Sequence, residues 1–183
     1  MNAYDYIKQN LRNSLKEKLI EWRRAGSFVK LEKPSDIGRA RALGYKDKKG
    51  FVIIRVKLIR GGRKRSVANK RRRSKRKTNR KTLKMNYQWV AEQRATRRYT
   101  NLEVLNSYQI GKDGQHYFFE VIMIDPERPE IQNSELSWIC KPENRKRAFR
   151  GLTSAAKKSR GLRHRSHELK VRPSQRAHNR RGK

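Results

Sequence analysis

Arginine and lysine are the side chains of this sequence best suited to chemistry, and they are densest in one stretch. Twelve of the 19 residues from Arg63 to Lys81 are cationic, and Val67 and Ala68 are the only apolar residues there. A guanidinium group binds phosphate through two parallel hydrogen bonds and also stacks on exposed bases. Because like charges repel and little apolar surface is available, such a segment does not order itself alone. We therefore expect residues 61–84 to form an arm that becomes ordered on a polyanion.

Other kinds of chemistry have few candidate residues. A structural zinc site needs four Cys or His ligands. Cys140 is the single cysteine, and His164, His167 and His178 stand among arginines that would repel a dication. Nucleophilic catalysis needs a nucleophile, a base and an orienting group, and the spacing of Cys140 and His116 supports no such set. The sequence therefore predicts no metal, no cofactor, no small-molecule substrate and no enzymatic activity.

The charge of the whole chain restricts the class of partner. The 183 residues include 50 Lys and Arg against 16 Asp and Glu, a formal net charge of +34. Residues 48–91 hold 18 of the basic residues and no acid, and residues 144–183 hold 15 and one acid. Such a field indicates nucleic acid or another polyanion. A membrane is a poor partner, because the arm lacks the bulky apolar residues of a membrane-binding helix and no run approaches the ~20 residues of a span.

Cysteine usage and the N-terminus indicate the compartment. A lone cysteine forms no intrachain disulfide, which is typical of reducing compartments. The first ten residues, MNAYDYIKQN, lack the pattern of a signal peptide. We therefore expect a cytoplasmic protein.

The first 60 residues have the patterns of a folded domain. A helix is predicted over residues 3–24. Its apolar stripe consists of Ile7, Leu11, Leu15, Leu19 and Trp22. Ser35 is a suitable N-cap for a second helix over residues 36–43. A strand is predicted over residues 51–59, and alternation places four apolar residues on its inner face. These are Val52, Ile54, Val56 and Leu58.

The sequence after the arm predicts a helix and then a hairpin. In the helix, over residues 85–99, one face is apolar and Glu92 belongs to the polar remainder. That apolar face consists of Tyr87, Val90, Ala91 and Ala95. Asp113-Gly114 between two β-rich runs indicates a hairpin. Two sets alternate on its strands, Val104, Tyr108 and Ile110 on the first and Tyr117, Phe119, Val121 and Met123 on the second. Pro126 ends the second strand, and a tail with at most short helical turns is expected from Arg145 onward.

Four stretches together resemble a known family. They are ARALGYKDKKGFVIIRVKLIRGGRKR (40–65), VLNSYQIGKDGQHYFFEVIMIDP (104–126), SWICKP (137–142) and RGLTSAAKKSRGLR (150–163). In this order they are similar to the archaeal and eukaryotic large-ribosomal-subunit protein family fifteen-e. The sequence departs from the familiar family pattern at residues 66–79, where SVANKRRRSKRKTN replaces a segment with proline and histidine.

The resemblance implies a small α+β domain, an antiparallel sheet flanked by helices, with extended segments that penetrate large-subunit rRNA. It also implies that residues 61–65, 150–154 and 157–161 face RNA. The expected partners are large-subunit rRNA and neighbouring large-subunit ribosomal proteins. The expected location is the cytoplasmic ribosome.

Residues and resemblance lead to one interpretation. Residues 1–60 and 85–143 form one globular α+β domain, residues 61–84 a basic RNA-binding arm, and residues 144–183 a basic extended tail. The predicted RNA-binding residues are the cations of the two basic segments and the glycines beside them: Arg60, Gly61, Gly62, Arg63, Lys64, Arg65, Lys70, Arg71, Arg72, Arg73, Lys75, Arg76, Lys77, Arg80, Lys81, Lys84, Arg145, Arg147, Arg150, Gly151, Lys157, Lys158, Arg160, Gly161, Arg163 and Arg165. The main alternative is a free nucleic-acid-compacting or RNA-chaperone protein. A basic RNA-processing enzyme is a weaker one, since clustered acids are missing from the sequence.

Overall fold

A four-stranded antiparallel sheet organises the chain. The computed structural model describes residues 3–62, 83 and 85–163. The strands are β1 (Phe28–Leu31), β2 (Phe51–Ile59), β3 (Glu103–Lys112) and β4 (His116–Ile124). Their spatial order is β1-β2-β4-β3, and every neighbouring pair is antiparallel. With the helices described below, the predicted α+β class and small antiparallel sheet are confirmed.

Strand β2, one of the two inner strands, is buried on both faces. Its bounds and its inner face agree with the sequence pattern: Ile54, Val56 and Leu58 lie in a first core, with Val52 half-buried against it. Ile53, however, is also buried, in a second core on the opposite face. The amphipathic alternation therefore identified only one of the two cores.

The predicted N-terminal helix is interrupted. The structure has two helices, α1 (Ala3–Asn13) and α2 (Leu15–Arg24). The prediction of one continuous helix over residues 3–24 is therefore wrong. At the junction the Ser14 hydroxyl donates to the Asn10 carbonyl at 2.9 Å. Serine side chains compete in this way with the backbone and often bend helices. Of the predicted stripe, Leu11 and Trp22 are buried, whereas Ile7 is exposed.

The short helix α3 (Ile37–Ala42) begins one residue later than predicted. Asp36, not Ser35, is its N-cap, and the Asp36 carboxylate accepts from the Arg39 amide at 2.8 Å. The Ser35 amide and hydroxyl donate instead to Glu120 of β4, the hydroxyl at 2.5 Å. A long-range partner therefore takes Ser35 away from the local role that its residue type suggests.

The hairpin of β3 and β4 forms as predicted. The Asp113 carboxylate accepts from the amides of Gln115 and His116 at 2.7 and 2.5 Å, which closes the turn. Bulges in β3 between Val104 and Asn106 and between Gln109 and Gly111 break its alternation. Val104 consequently lies in the first core and Tyr108 in the second, so their predicted common face is wrong. The alternating set on β4 does share the first core, and β4 ends before Asp125-Pro126.

Helix α4 (Tyr87–Arg98) covers the first core, into which Ala91 and Ala95 pack as predicted. Glu92 does not lie on a polar face as expected, because it is 0% exposed. After β4 the chain forms α5 (Pro129–Gln132), two 3-10 helices and α6 (Ser154–Ser159). The 3-10 helices span Ser137–Cys140 and Pro142–Asn144.

Candidate nucleic-acid interface

The two ends of the predicted arm are joined at its base. The Tyr87 hydroxyl accepts from the Gly61 amide at 2.9 Å and donates to the Gly61 carbonyl at 3.0 Å. Gly61 has a φ of +93°, a conformation that glycine adopts without strain. The hydroxyl therefore ties Gly61, where the chain leaves β2, to Tyr87, the first residue of α4.

Aromatic rings support this base. The rings of Tyr87 and Tyr117 lie 4.8 Å apart, and the guanidinium carbon of Arg60 lies 5.0 Å from the centre of the Tyr117 ring. Arg60 also donates to the Asp113 carbonyl at 2.6 Å, across the hairpin end. A cation over an aromatic face is held there by the ring quadrupole. Arg60 is thus fixed on the sheet at the arm base.

Residues 145–159, which we call the strap, run antiparallel along α4. The Lys146 amide donates at 2.7 Å to Glu103, which lies beyond the C-terminal end of that helix. From the first turn of α4, the Trp89 indole donates to the Ala148 carbonyl at 2.6 Å. At the N-terminal end, Asn86 donates to the Ala155 carbonyl and to the Ser159 hydroxyl at 3.0 and 3.1 Å. The described part of the predicted tail is therefore folded against the domain.

A buried carboxylate fastens the strap. The hydroxyls of Ser107 in β3 and Thr153 in the strap each donate to Glu92 at 2.5 Å. Burial raises the pKa of Glu92, and the two hydroxyl bonds and the charge of Arg147 oppose that rise. Both Glu92 and Thr153 are 0% exposed. Glu92 therefore links α4, the sheet and the strap at one point.

Helix α6 places two of the strap's cations, Lys157 and Lys158, near the arm base. Thr153 is its N-cap, accepting from the Ala156 amide at 3.3 Å. At the C-terminal end the amides of Gly161 and Leu162 donate to the carbonyls of Lys158 and Lys157, a Schellman motif in which Gly161 has a φ of +72°. The side chains of Lys157 and Lys158 are exposed. Since Asn86 contacts α6 and Tyr87 contacts Gly61, helix α6 lies beside the root of the arm.

Comparison with known proteins identifies the family. The family model described as Ribosomal L15 matches residues 3–178. The large ribosomal subunit protein eL15 of Methanospirillum hungatei JF-1 is 51% identical over 170 residues, which cover 91% of this chain and 87% of that protein. The chain belongs to the ribosomal L15e family. The resemblance inferred from the four sequence motifs is thereby confirmed.

The remaining predicted site residues of this L15e chain differ in their environments. Arg145 and Arg163 are exposed, and Arg150 is exposed while it donates to the backbone carbonyls of Glu143 and Arg145. Arg160 is half-buried and donates to the Gly151 carbonyl at 2.9 Å. A Cβ atom at Gly151 would meet the Arg160 side chain at 2.9 Å, so glycine leaves room for this contact.

Arg147 is half-buried, and backbone carbonyls and an aromatic ring surround its guanidinium group. It donates to the carbonyls of Val104 and Leu105 at 2.7 and 2.8 Å and lies 5.0 Å from the centre of the Trp138 ring. Burial lowers the pKa of Arg147, and nearby Glu92 and Glu103 oppose the change. The group stays cationic, since arginine is always charged in proteins. Its hydrogen bonds go to the β3 bulge.

Part of the predicted site lies outside the described residues. This part comprises Arg63, Lys64, Arg65, Lys70, Arg71, Arg72, Arg73, Lys75, Arg76, Lys77, Arg80, Lys81, Lys84 and Arg165. Gly62 is the last described residue at the start of the arm, and among the described residues no atom lies within 4 Å of the position that a Cβ would take there. Within the ranges that the structure describes, there is neither a helix able to span a membrane nor a group of three or more possible metal ligands.

Sequence reasoning missed the polar residues that assemble the interface in this L15e chain. Gln88, Glu92 and Thr96 recur every four residues on α4. Gln88 donates to the Ser107 hydroxyl, which in turn donates to Glu92. That spacing marks a polar stripe beside the apolar face, and it was the available signal. Thr153 could have been recognised as an N-cap by its residue type. No local pattern indicates that Tyr87 binds Gly61, because the two residues are brought together by the sheet.

Proposed function

We propose that this protein is a structural constituent of the large ribosomal subunit that binds and stabilises folded rRNA by neutralising phosphates. The observation that carries the proposal is the joining of the arm base to the cationic strap in a chain of the ribosomal L15e family. At the N-terminal end of α4, Tyr87 holds the root of the arm and Asn86 holds helix α6 of the strap. A rigid domain of this kind would present two sources of positive charge to one region of RNA.

The mechanism follows from counterion release. Each phosphate neutralised by Lys or Arg releases condensed cations, which makes RNA affinity fall steeply with salt. Contacts of this kind position a protein on RNA without reading sequence. By this proposal the domain fixes orientation, the arm fills RNA crevices and catalysis plays no part. The proposed partners are large-subunit rRNA and neighbouring ribosomal proteins, within the cytoplasmic ribosome.

The arm cations provide the test. We consider serine at seven positions together: Lys70, Arg71, Arg72, Arg73, Lys75, Arg76 and Lys77. Each lost phosphate contact flattens the log–log salt dependence of affinity by about 0.7–0.9, and since not all seven need touch phosphate we expect a total change of roughly 3–5. The measurement is a salt titration of binding to a large-subunit rRNA transcript.

A charge-retaining variant is the matched control. Replacing Arg71, Arg72, Arg73 and Arg76 by lysine keeps the number of cations, so its salt slope should equal that of the wild type. An unchanged slope in the serine variant would refute phosphate neutralisation by the arm. Release of the wild-type protein from large subunits at low salt would favour the free RNA-compacting alternative.

A further inference from the structure

We propose that the C-terminal end of α4 carries a second phosphate-binding surface, which holds an RNA segment separate from the one at the arm base. It has two parts, an arginine face on α4 and the loop that opens the strap. Its residues are Arg94, Arg97, Arg98, Arg145, Lys146 and Arg150. This inference rests on the proposed rRNA-binding function. It adds a second binding site, at the C-terminal end of α4, and names its ligand, the phosphodiester backbone of a second RNA segment.

The arginine face lies in the part of the chain predicted to be an ordinary globular domain. Arg94, Arg97 and Arg98 are exposed and occupy positions i, i+3 and i+4, so they lie on one face of the helix. The guanidinium carbon of Arg97 lies 5.6 Å from the centre of the Phe149 ring in the strap. This contact joins the helix face to the loop that contains Arg145, Lys146 and Arg150.

The loop is held in place before any ligand binds. The Lys146 amide donates to the buried carboxylate of Glu103 at 2.7 Å, and the amides of Phe149 and Arg150 donate to the Lys146 carbonyl. The Arg150 guanidinium donates to two backbone carbonyls, those of Glu143 and Arg145. Charged groups on a fixed backbone lose little entropy when they bind a partner.

Lys146 has a backbone conformation that its residue type disfavours. Its φ of +53° is the one positive value at a non-glycine residue in the described chain. Glycine or asparagine would fit this left-handed conformation with less strain. Retaining a strained residue is characteristic of functional sites. The side chain of Lys146 is exposed, so its packing does not account for lysine at this position.

The side-chain charges of this surface are available to a ligand. In the described ranges, none of the ion pairs involves any of these six cations.

The proposed surface lies at the opposite end of the sheet from the arm base. Glu103 is opposite Ile124 at one end of β4, whereas Ile59, next to the arm, is opposite His116 at the other. The 12-residue helix between them is about 18 Å long, so one phosphate cannot serve both ends.

Helix stability offers a different explanation for part of this surface. Cations in the last turn of a helix interact favourably with its dipole, and Arg97 and Arg98 occupy that turn. In that case, replacing them would lower the melting temperature without changing the salt dependence of RNA binding. That result would overturn the proposal.

The first test removes the arginine face. We consider Arg94→Gln, Arg97→Gln and Arg98→Gln together, since glutamine keeps helix propensity. The control is Lys30→Gln, Lys33→Gln and Arg39→Gln, three exposed cations on β1, after it and on α3, whose removal changes the net charge equally. With full-length protein and a large-subunit rRNA transcript, the salt slope should flatten by roughly 2–3 in the α4 variant and by less than about 1 in the control.

The second test separates binding from folding. Lys146→Gly relieves the left-handed strain, so the melting temperature should be retained or rise while the salt slope flattens by about 0.9. Equal slopes in the α4 variant and its control, or an unchanged slope in Lys146→Gly, would overturn the second surface. If the wild-type protein itself shows no salt-dependent rRNA binding, the proposed function fails, which is a different result.

Discussion

Each face of the sheet buries a glutamate, and the two glutamates fasten different parts of the chain. On the face covered by α4, Glu92 accepts from Ser107 and from Thr153 of the strap. On the opposite face, Glu120 accepts from Tyr108 and from Ser35, which precedes α3. Both carboxylates are 0% exposed, and burial raises the pKa of each. The chemistry is alike, but only the first glutamate holds a segment that we propose contacts RNA.

This difference separates two kinds of stabilisation. Glu120 joins elements that remain within the domain whether or not RNA is present. Glu92 joins the domain to the strap through Thr153, the N-cap of the helix that carries Lys157 and Lys158. Buried polar groups are costly when left unpaired, so each network orders the groups around it. The comparison therefore predicts that both networks support folding and that only the Glu92 network supports RNA binding.

The largest expected effect comes from opening the first core beneath α4. Phe119→Ala removes a side chain that is 4% exposed in that core. The loss of burial and the resulting cavity should lower the free energy of unfolding by about 3–5 kcal/mol. Denaturant unfolding measures this change, with Ile122→Ala as a comparison in the second core. A change near zero would show that the assignment of Phe119 to the core is wrong.

A smaller effect should distinguish the two glutamates directly. Glu92→Ala and Glu120→Ala each leave buried hydroxyl groups without their acceptor, so each should cost about 2–3 kcal/mol in unfolding free energy. Only Glu92→Ala should also weaken binding to the rRNA transcript and speed amide exchange in residues 153–159. Equal losses of RNA affinity in both variants would contradict the distinction drawn between the two faces.

The smallest effect is on the pH dependence of stability. The folded-state pKa of Glu92 is raised above its ordinary value of 4.5 by burial. Its contribution to stability is therefore fully present below about pH 4.5 and is lost as the pH rises through the folded pKa. Each unit of pKa difference corresponds to about 1.4 kcal/mol. Glu92→Gln should remove this loss, so the variant gains stability relative to wild type as pH rises.

Thermal melts across the pH range check this sign. Glu120→Gln should act in the same direction, because the pKa of Glu120 is also raised by burial. The double variant should therefore have a flatter profile than either single variant. The opposite result would be that wild-type stability rises with pH through this range and that the glutamine variants lose stability. It would show that the fold favours both carboxylates in their charged state.

Local patterns predicted the elements that depend on neighbouring residues. Strand β2 has the predicted bounds because its β-branched and apolar run suits a buried strand. The hairpin forms because Asp113 satisfies two amides within its own turn. Ser35 shows where this reasoning fails. Its residue type suits an N-cap, but Glu120, 85 residues away, accepts its hydrogen bonds instead.

The motif resemblance implied the antiparallel sheet. The residues by themselves determined the charge, strand β2, the β3–β4 hairpin and most of the first core. These follow from composition and from periodicities of two and about four residues, which are properties of neighbouring positions. Only the tertiary structure decided that α4 connects the arm base, the strap and the arginine face. It also decided that Glu92 is buried where α4, the sheet and the strap meet. Such decisions depend on pairs like Glu92 and Thr153, 61 residues apart, whose hydrogen bond forms only when the whole sheet has placed both. No local pattern specifies that distance.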